Sequence, residues 1–259
     1  MSEKVCVFVD GENFRHSIVD VFGAEFNPNE YLPKQADWTK FFDYLVEHSG
    51  FYGAVARLRT YWYVVQHVDF RPYNLPSPEK DEAAFLTIVQ RDKNTRDEIG
   101  RTPAEGRPEL YVRIHRRLQA REKWFSRRFQ GWATVQNGIS TRHNSVEFRR
   151  AGAISYNLYQ ERLGQEKSVD VKLAVDLVTL RNIYDIAVIV SGDQDYVPAV
   201  QAIKDSGKRV VNVAFLTRSG DLLPGGARRL NQITDRSHHV PYADLKRLLG
   251  IPYAPPVAR

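Results

Sequence analysis

The chain of 259 residues has one cysteine, Cys6, so no disulfide can form within it. It has no run of about 18 apolar residues, the length that spans a membrane. It also has no GxxxxGKS/T phosphate loop, no GxSxG nucleophile elbow and no Cys/His spacing typical of zinc sites. These absences argue against a disulfide-stapled protein, a P-loop NTPase, a GxSxG hydrolase and a zinc-binding domain. We expect a cytoplasmic protein with no membrane partner.

Apolar residues are plentiful, at 42% of the chain, which is enough for an ordinary folded core. The nearly continuous apolar runs at 4–9 and 185–191 predict strands that are buried on both faces. Helices are predicted at 36–48 and 169–180, with Ser168 as the N-cap of the second. Strands that alternate with helices imply an α/β fold with a mostly parallel sheet. Right-handed crossovers bring the carboxyl ends of such strands to one edge.

A segment without this alternation lies in the first half of the chain. We expect one domain over 1–259, interrupted by a helical insertion at about 67–131. Two polar helices are predicted within the insertion, at 79–99 and 107–130. After the insertion, the sequence predicts a strand at 132–137, a turn at 138–144 and a second strand at 146–156.

Four acidic residues stand where predicted strands end or predicted helices begin. Asp10 follows the first strand, Asp193 and Asp195 follow the strand at 185–191, and Asp170 lies in the first turn of a helix. Because ligand sites of open α/β folds lie at the carboxyl edge of the sheet, we expect these carboxylates to converge. A hard cation, Mg²⁺ or Mn²⁺, suits such oxygen ligands. The alternative is that Asp10 and Asp195 cap helices and that Asp170 interacts only with a helix dipole.

Three further polar residues are candidate site residues because of their positions in the sequence. The amide of Asn13, in the first helix, is expected to bind Asp10 or a phosphate oxygen. Ser191 follows a predicted strand and either holds a phosphate or caps a turn. Asp176 lies six residues after Asp170, about 240° round a helix, so the two do not share a face. We expect Asp176 to orient a neighbouring residue or to pair with Lys172.

Three sequence blocks, VFVDGENF, KSVDVKLAVDLV and VIVSGDQDYVPAV, occur in this order. Together they resemble the signature blocks of the NYN family of PIN-like nucleases, which includes the bacterial LabA-like proteins. The resemblance covers about 4–22 and 152–235 and does not account for 67–131. It implies a three-layer α/β/α PIN-like fold and metal-dependent hydrolysis of phosphodiester bonds, most often in RNA.

Applied to this sequence, the resemblance assigns the metal-binding cluster to Asp10, Asp170, Asp193 and Asp195. Asn13 becomes the early asparagine of the site. Lys167 precedes the VDV block and either helps to carry transition-state charge or is an ordinary solvated lysine. The implied mechanism uses one or two Mg²⁺ or Mn²⁺ ions to activate water and neutralise the phosphate.

We therefore predict a metal-dependent endoribonuclease that works through its aspartates. The alternative is a catalytically weak or inactive PIN-like module that binds RNA or a partner protein. A phosphatase for small phosphorylated molecules ranks third, because the DGE sequence at Asp10 lacks the paired aspartates of an aspartyl-phosphate enzyme.

The positive charge of the chain is local. Residues 101–150 hold 12 Lys and Arg against 4 Asp and Glu, in a chain of net charge +6. Aromatic residues are interleaved with the cations of 113–128, a pattern typical of single-strand binders, whereas the alternative is a solvated helix face with its aromatics in the core. We expect single-stranded RNA as the partner, and the sequence also allows a homodimer. The predicted nucleic-acid-binding residues are Arg113, Arg116, Arg117, Arg121, Lys123, Arg127 and Arg128.

Overall fold

Seven β-strands and nine α-helices form in the part of the chain that the computed structural model describes, residues 2–27, 30–223 and 228–252. The strands are β1 (Glu3–Asp10), β2 (Val55–Arg71), β3 (Val146–Asn157), β4 (Arg162–Lys167), β5 (Ile186–Val190), β6 (Arg209–Phe215) and β7 (Arg236–Val240). The helices are α1 (Gly11–Phe22), α2 (Trp38–Glu47), α3 (Glu82–Val89), α4 (Lys93–Arg101), α5 (Arg107–Arg142), α6 (Val169–Thr179), α7 (Val197–Asp205), α8 (Arg228–Ile233) and α9 (Tyr242–Leu248).

The chain divides into two compact units. Within the described residues, the first unit takes in the chain up to Val64, then Thr134–Ala151, then the chain from Ser168 onward. The second unit consists of Val65–Ala133 and Gly152–Lys167. Three of the four boundaries fall inside continuous elements, because β2, α5 and β3 each pass from one unit into the other, and the fourth lies directly after β4.

The sheet is mostly parallel and has the strand order β4-β3-β2-β1-β5-β6-β7. Five neighbouring strands, β2, β1, β5, β6 and β7, pair in parallel, and β3 pairs with β4 in the antiparallel direction. Val9 of β1 lies opposite Val190 of β5, so the residues that follow these strands emerge side by side. The topology thus places Asp10 beside the Ser191–Asp195 loop.

Helices pack on both faces of the sheet in the first unit. On one face, Phe8 and Ile189 pack in a buried cluster with Leu173 of α6 and Val200 of α7. On the other face, Phe14 of α1 stacks on Phe41 of α2 at 5.5 Å, within a wider group of buried aromatic rings. Strands covered on both sides account for the continuous apolar runs in the sequence. The predicted α/β fold with a mostly parallel sheet is confirmed.

The predicted strand at 132–137 is wrong, and the turn predicted at 138–144 is wrong up to Arg142, because α5 continues to that residue and the turn occupies only 143–145. Trp132, Gln136 and Ile139 are three or four residues apart and are all buried, which is the spacing of one helix face. The strand predicted at 146–156 is confirmed as β3, and the two predicted polar helices correspond to α3, α4 and the first part of α5. None of the described helices is both long enough and apolar enough to cross a membrane.

Candidate metal centre

Asp10 ends β1 and is buried, with 5% of its surface exposed. Its Oδ1 accepts a hydrogen bond from the backbone N–H of Asn13 at 3.1 Å, so Asp10 is the N-cap of α1. Its Oδ2 accepts hydrogen bonds from the hydroxyls of Ser191 and Tyr196, each at 3.0 Å. The capping role expected as one alternative is present, but it uses only one oxygen of the carboxylate.

Burial raises the pKa of Asp10 from 3.8 to about 6. The hydrogen bonds from Asn13, Tyr196 and Ser191 oppose this shift, while the negative charge of Asp170 adds to it. Burial and the nearby Asp10 carboxylate also raise the pKa of the Tyr196 hydroxyl, so it stays protonated and donates. A positive charge beside Asp10 would therefore favour its ionised form.

Three other acids converge on one point. Asp170 lies in the first turn of α6, and Asp193 and Asp195 lie in the loop and short 3₁₀ turn that follow β5. Each offers one carboxylate oxygen within 4.8 Å of the oxygens of the other two. Asp193 also accepts a hydrogen bond from the backbone N–H of Asp195 at 2.9 Å, which fixes the turn. Asp10 lies outside this group of three, although its pKa responds to Asp170.

These three carboxylates suit a hard divalent cation. Within the described ranges, no Lys, Arg or His forms an ion pair with Asp170, Asp193 or Asp195. Like charges this close repel one another, so a bound cation would stabilise the arrangement. Carboxylate oxygens are the ligands that Mg²⁺ and Mn²⁺ prefer. The residues present therefore fit a metal of this class.

Asn13 and Ser191 organise the loop that carries two of these acids. The side-chain oxygen of Asn13 accepts a hydrogen bond from the backbone N–H of Gly192 at 2.8 Å. Among the described residues no hydrogen bond joins the Asn13 side chain to Asp10, and binding of its amide to a phosphate oxygen stays a prediction. Ser191 donates to Asp10 and accepts from the backbone N–H of Asp193 at 3.1 Å. The side-chain oxygen of Asn13 and the hydroxyl of Ser191 thus hold β1, α1 and the loop after β5 together.

Gly11 lets α1 start directly at the sheet edge. A Cβ at this position would lie 2.3 Å from the backbone oxygen of Tyr63 and 2.9 Å from Cγ1 of Val64. The backbone φ of Gly11 is not in the left-handed region, so the position requires glycine for space and not for backbone conformation. The close approach of α1 to β2 fixes the position of Asp10 and Asn13.

Asp176 lies one and a half turns after Asp170 and is not part of the cluster of three. It accepts hydrogen bonds from Lys172 at 2.8 Å, from the hydroxyl of Tyr63 at 3.1 Å and from Arg149. Burial alone would raise the pKa of Asp176, but the bonds from Lys172 and Arg149 outweigh burial and lower it. The expected pairing with Lys172 is present, and Asp176 fastens α6 to β2 and β3.

Two residues remain to be placed: Lys167, which the sequence analysis named as a candidate site residue, and Tyr196, which it did not. Lys167 is exposed at the end of β4, in the second unit, where it lies opposite Ala153 of β3. Tyr196 was not predicted as a site residue. The only sequence signal for it was its position directly after Asp195 in the GDQDY motif.

An apolar groove of about 600 Å³ begins at the cluster, with Asp170 and Asp195 at its edge. Its walls are mostly aliphatic side chains of α6 and α7, and none of the described residues that line it is basic. Val171 and Val175 are 62% and 48% exposed there, which is high for β-branched aliphatic residues. The groove can accept the uncharged part of a ligand whose anionic part lies at the carboxylates.

Two of the predicted nucleic-acid-binding cations have structural partners in the second unit. Arg117 pairs with Glu98 at 3.0 Å. Arg121 donates to the carbonyls of Leu158 and Tyr159 at 2.9 and 3.1 Å and also pairs with Glu161. These two arginines hold the fold of the unit together, so their guanidinium groups are already occupied.

The other five predicted cations lie on the exposed side of α5 or beside its aromatic residues. Arg128 lies over the ring of Trp124 at 5.4 Å, and Trp124 is 52% exposed. Phe125 and Trp132 are buried, as the core alternative predicted for the aromatic residues. The exposed cations, for which no ion pair is found with any described residue, are Arg113, Arg116, Lys123 and Arg127.

The family model of the NYN domain matches residues 94–224, which is about half of the chain. The chain belongs to the NYN domain family. The NYN match includes Asp170, Asp193 and Asp195 and begins after Asp10, so it differs from the range expected from the sequence blocks. It also takes in residues 94–131 of the predicted insertion.

No curated protein matches this NYN-family chain. Among solved structures, it is similar to a protein of unknown function from Vibrio parahaemolyticus, with 15% sequence identity and a TM-score of 0.42. That similarity covers 92% of this chain and 93% of the other.

Proposed function

We propose that this NYN-family protein is a metal-dependent endoribonuclease that hydrolyses phosphodiester bonds of RNA at its aspartate cluster. The observation that carries the proposal is the convergence of Asp170, Asp193 and Asp195 without a basic partner in the described residues. NYN-family membership supports a nuclease-type hydrolase, and a net charge of +6 favours a polyanionic substrate.

The proposed division of labour follows the contacts. Asp170, Asp193 and Asp195 would hold Mg²⁺ or Mn²⁺, which neutralises phosphate charge and activates water when bound. Asp10 adds its buried negative charge next to Asp170, either as a further ligand or as the anchor that holds Ser191 and Tyr196. Asn13 keeps the loop of Asp193 and Asp195 in place through Gly192.

The surroundings of the cluster support a nucleic-acid substrate. Phosphate would lie at the carboxylate cluster, and a base or sugar would fill the adjoining apolar groove. Apart from the cluster, the exposed cations of α5 in the second unit form a surface of their own that would bind phosphates of single-stranded RNA. A three-layer PIN-like fold, a single domain over 1–259 with an insertion at about 67–131, and a cytoplasmic location belong to the same proposal.

Cleavage of labelled single-stranded RNA tests this function. The wild type should cut with Mn²⁺ and not with EDTA, and Asp193→Asn or Asp195→Asn should reduce the rate by at least about a hundredfold, as expected for loss of a group that acts in the transition state. Asp20→Asn is the matched control, because Asp20 is exposed on α1 and makes the same change of charge.

A second measurement separates metal binding from catalysis. Mn²⁺ should raise the melting temperature of the wild type, since a ligand at 100 times its Kd stabilises the native state by about 2.7 kcal/mol. Asp193→Asn should remove most of that increase, and Asn can still cap the turn. RNA binding without Mn²⁺-dependent cleavage in the wild type would instead identify a non-catalytic RNA-binding module.

A further inference from the structure

A cavity separate from the apolar groove lies entirely within the second unit. It has a volume of about 740 Å³, which is the size of a small-molecule site. Its walls come from the end of β2, the α3–α4 junction and the turn between β3 and β4. The aspartate cluster plays no part in it, because every lining residue belongs to Val65–Ala133 or Gly152–Lys167.

The charge of this cavity favours an anion. Arg71 and Arg91 line it, both are exposed, and neither forms an ion pair with a described residue. The acid that also lines it, Asp92, uses its Oδ2 to cap α4 through the backbone N–H and hydroxyl of Thr95, at 2.9 and 2.8 Å. Two guanidinium groups with one engaged carboxylate leave a net positive site, and guanidinium binds phosphate well.

The same cavity offers groups that suit a planar polar ring. The Tyr159 hydroxyl is buried and has no hydrogen-bond partner among the described residues. Burial and the nearby Asp92 raise the pKa of this hydroxyl to about 12, so it remains a donor. Tyr73 is 76% exposed, and its ring is available for stacking. A buried unpaired hydroxyl costs stability unless a ligand satisfies it.

The walls are held in place by specific contacts. Leu158 donates its backbone N–H to the carbonyl of Arg71 at 2.8 Å, which ties the β3–β4 turn to the end of β2. The side chain of Asn157 accepts from the backbone N–H of Tyr159 at 2.9 Å. Arg121 binds the carbonyls of Leu158 and Tyr159 from α5. The β3–β4 turn that forms one wall of the cavity is therefore held in place by hydrogen bonds to β2 and α5.

We infer that this cavity binds a nucleoside monophosphate unit, either as a free nucleotide or as one residue of an RNA strand. Arg71 and Arg91 take the phosphate, Tyr73 stacks on the base, and the Tyr159 hydroxyl donates to an acceptor on the ligand. The inference does not depend on RNA cleavage at the aspartate cluster, since the two sites share no residue.

Calorimetric titration of the full chain in EDTA tests the inference, with AMP, adenosine and hexaadenylate as probes. AMP should bind at least tenfold more tightly than adenosine, because adenosine lacks the phosphate. Hexaadenylate binding at least tenfold more tightly than AMP would identify the strand as the source of the nucleotide, and equal affinities would identify a free nucleotide. Failure of both AMP and hexaadenylate to bind at millimolar concentration would overturn the inference.

Two variants assign any binding to this cavity. Arg91→Gln should weaken AMP binding at least tenfold, whereas Lys80→Gln, an equal charge change at an exposed position outside the cavity lining, should change it less than twofold. Tyr159→Phe should weaken binding about threefold to tenfold without lowering the melting temperature, because the hydroxyl has no partner to lose. Unchanged AMP affinity in both Arg91→Gln and Tyr159→Phe would refute the site. Because the titrations are run in EDTA, AMP binding by the wild type is measured independently of the proposed metal-dependent cleavage.

Discussion

The hydroxyl of Tyr196 donates a hydrogen bond of 3.0 Å to Oδ2 of Asp10, a residue 186 positions earlier in the chain. Ser191 donates to the same oxygen. Both bonds favour the ionised carboxylate, whereas burial favours the protonated one and prevails, which puts the pKa of Asp10 at about 6. The charge state of Asp10 near neutral pH therefore depends on Tyr196.

Replacing Tyr196 by Phe should raise the pKa of Asp10 further. A hydrogen bond to a charged group contributes about 1.5–3 kcal/mol, or roughly one to two pKa units. If ionised Asp10 is needed for RNA cleavage, the acid limb of the rate–pH profile should move to higher pH by about one unit. Cleavage rates measured from pH 5 to 9 check this expectation.

Tyr184→Phe is the matched control for that experiment. The Tyr184 hydroxyl is also buried, but it donates to the carbonyl of Leu177, away from Asp10. Its loss should lower stability by about 1 kcal/mol and leave the acid limb where it is. The assignment of the acid limb to Asp10 fails if the two variants shift the profile equally.

Asp10 should also make the metal-free protein less stable as pH rises. Its pKa is about 6 in the folded protein, against 3.8 for an ordinary aspartate, so between these values the native state holds a proton that the unfolded state has released. The free energy of unfolding should thus fall by about 2 kcal/mol from pH 4 to pH 6.5 because of this group. Asp10→Asn should remove that decline, which urea denaturation in EDTA at several pH values measures.

Comparing Asp10→Asn with wild type separates the effect of Asp10 titration on stability from the effects of other titrating groups. The pKa of His238 is lowered to about 4 by burial, so this histidine opposes the trend, with stability lost as pH falls from 6.5 towards 4. Both proteins share that contribution, so their difference cancels it. Asp20→Asn should behave like wild type. A wild-type curve parallel to that of Asp10→Asn would show that the carboxyl titrates normally.

Sequence patterns predicted the parts of this protein that depend on local chemistry. Continuous apolar runs identified β1 and β5, and strand–helix alternation placed Asp10 and Asp193 at one sheet edge. The strand at 132–137 was wrong because Trp132 and its neighbours suit a strand locally, and only packing shows that they continue one helix face. The Tyr196–Asp10 bond links distant positions, and no local pattern encodes it.

Gly11 should tolerate no side chain. In Gly11→Ala the new methyl group would meet the backbone oxygen of Tyr63, which cannot rotate away as a side chain can. Overpacking of this kind costs about 1–3 kcal/mol, and a backbone clash places Gly11→Ala at the upper end or beyond. Chemical denaturation measures the loss of stability.

The matched control is Gly53→Ala, which should stay within about 0.5 kcal/mol of wild type, since nothing lies within 4 Å of its added Cβ. Equal stability of the two variants would contradict the close approach of α1 to β2.

The cations of α5 should separate into two classes by experiment. Arg116 and Arg127 are exposed, so the double substitution to Gln should weaken single-stranded RNA binding and reduce the magnitude of its salt slope by about 1.4, or 0.7 per phosphate contact. A double substitution of Lys93 and Arg101 to Gln removes the same charge from exposed positions of α4 and should leave the slope nearly unchanged. Arg121→Gln should instead lower the melting temperature, because it loses the Leu158 and Tyr159 carbonyls and Glu161. The measurement is the affinity for single-stranded RNA at several salt concentrations from 50 to 300 mM. An unaltered salt slope for the Arg116 and Arg127 variant would show that this face of α5 is not part of the RNA-binding surface.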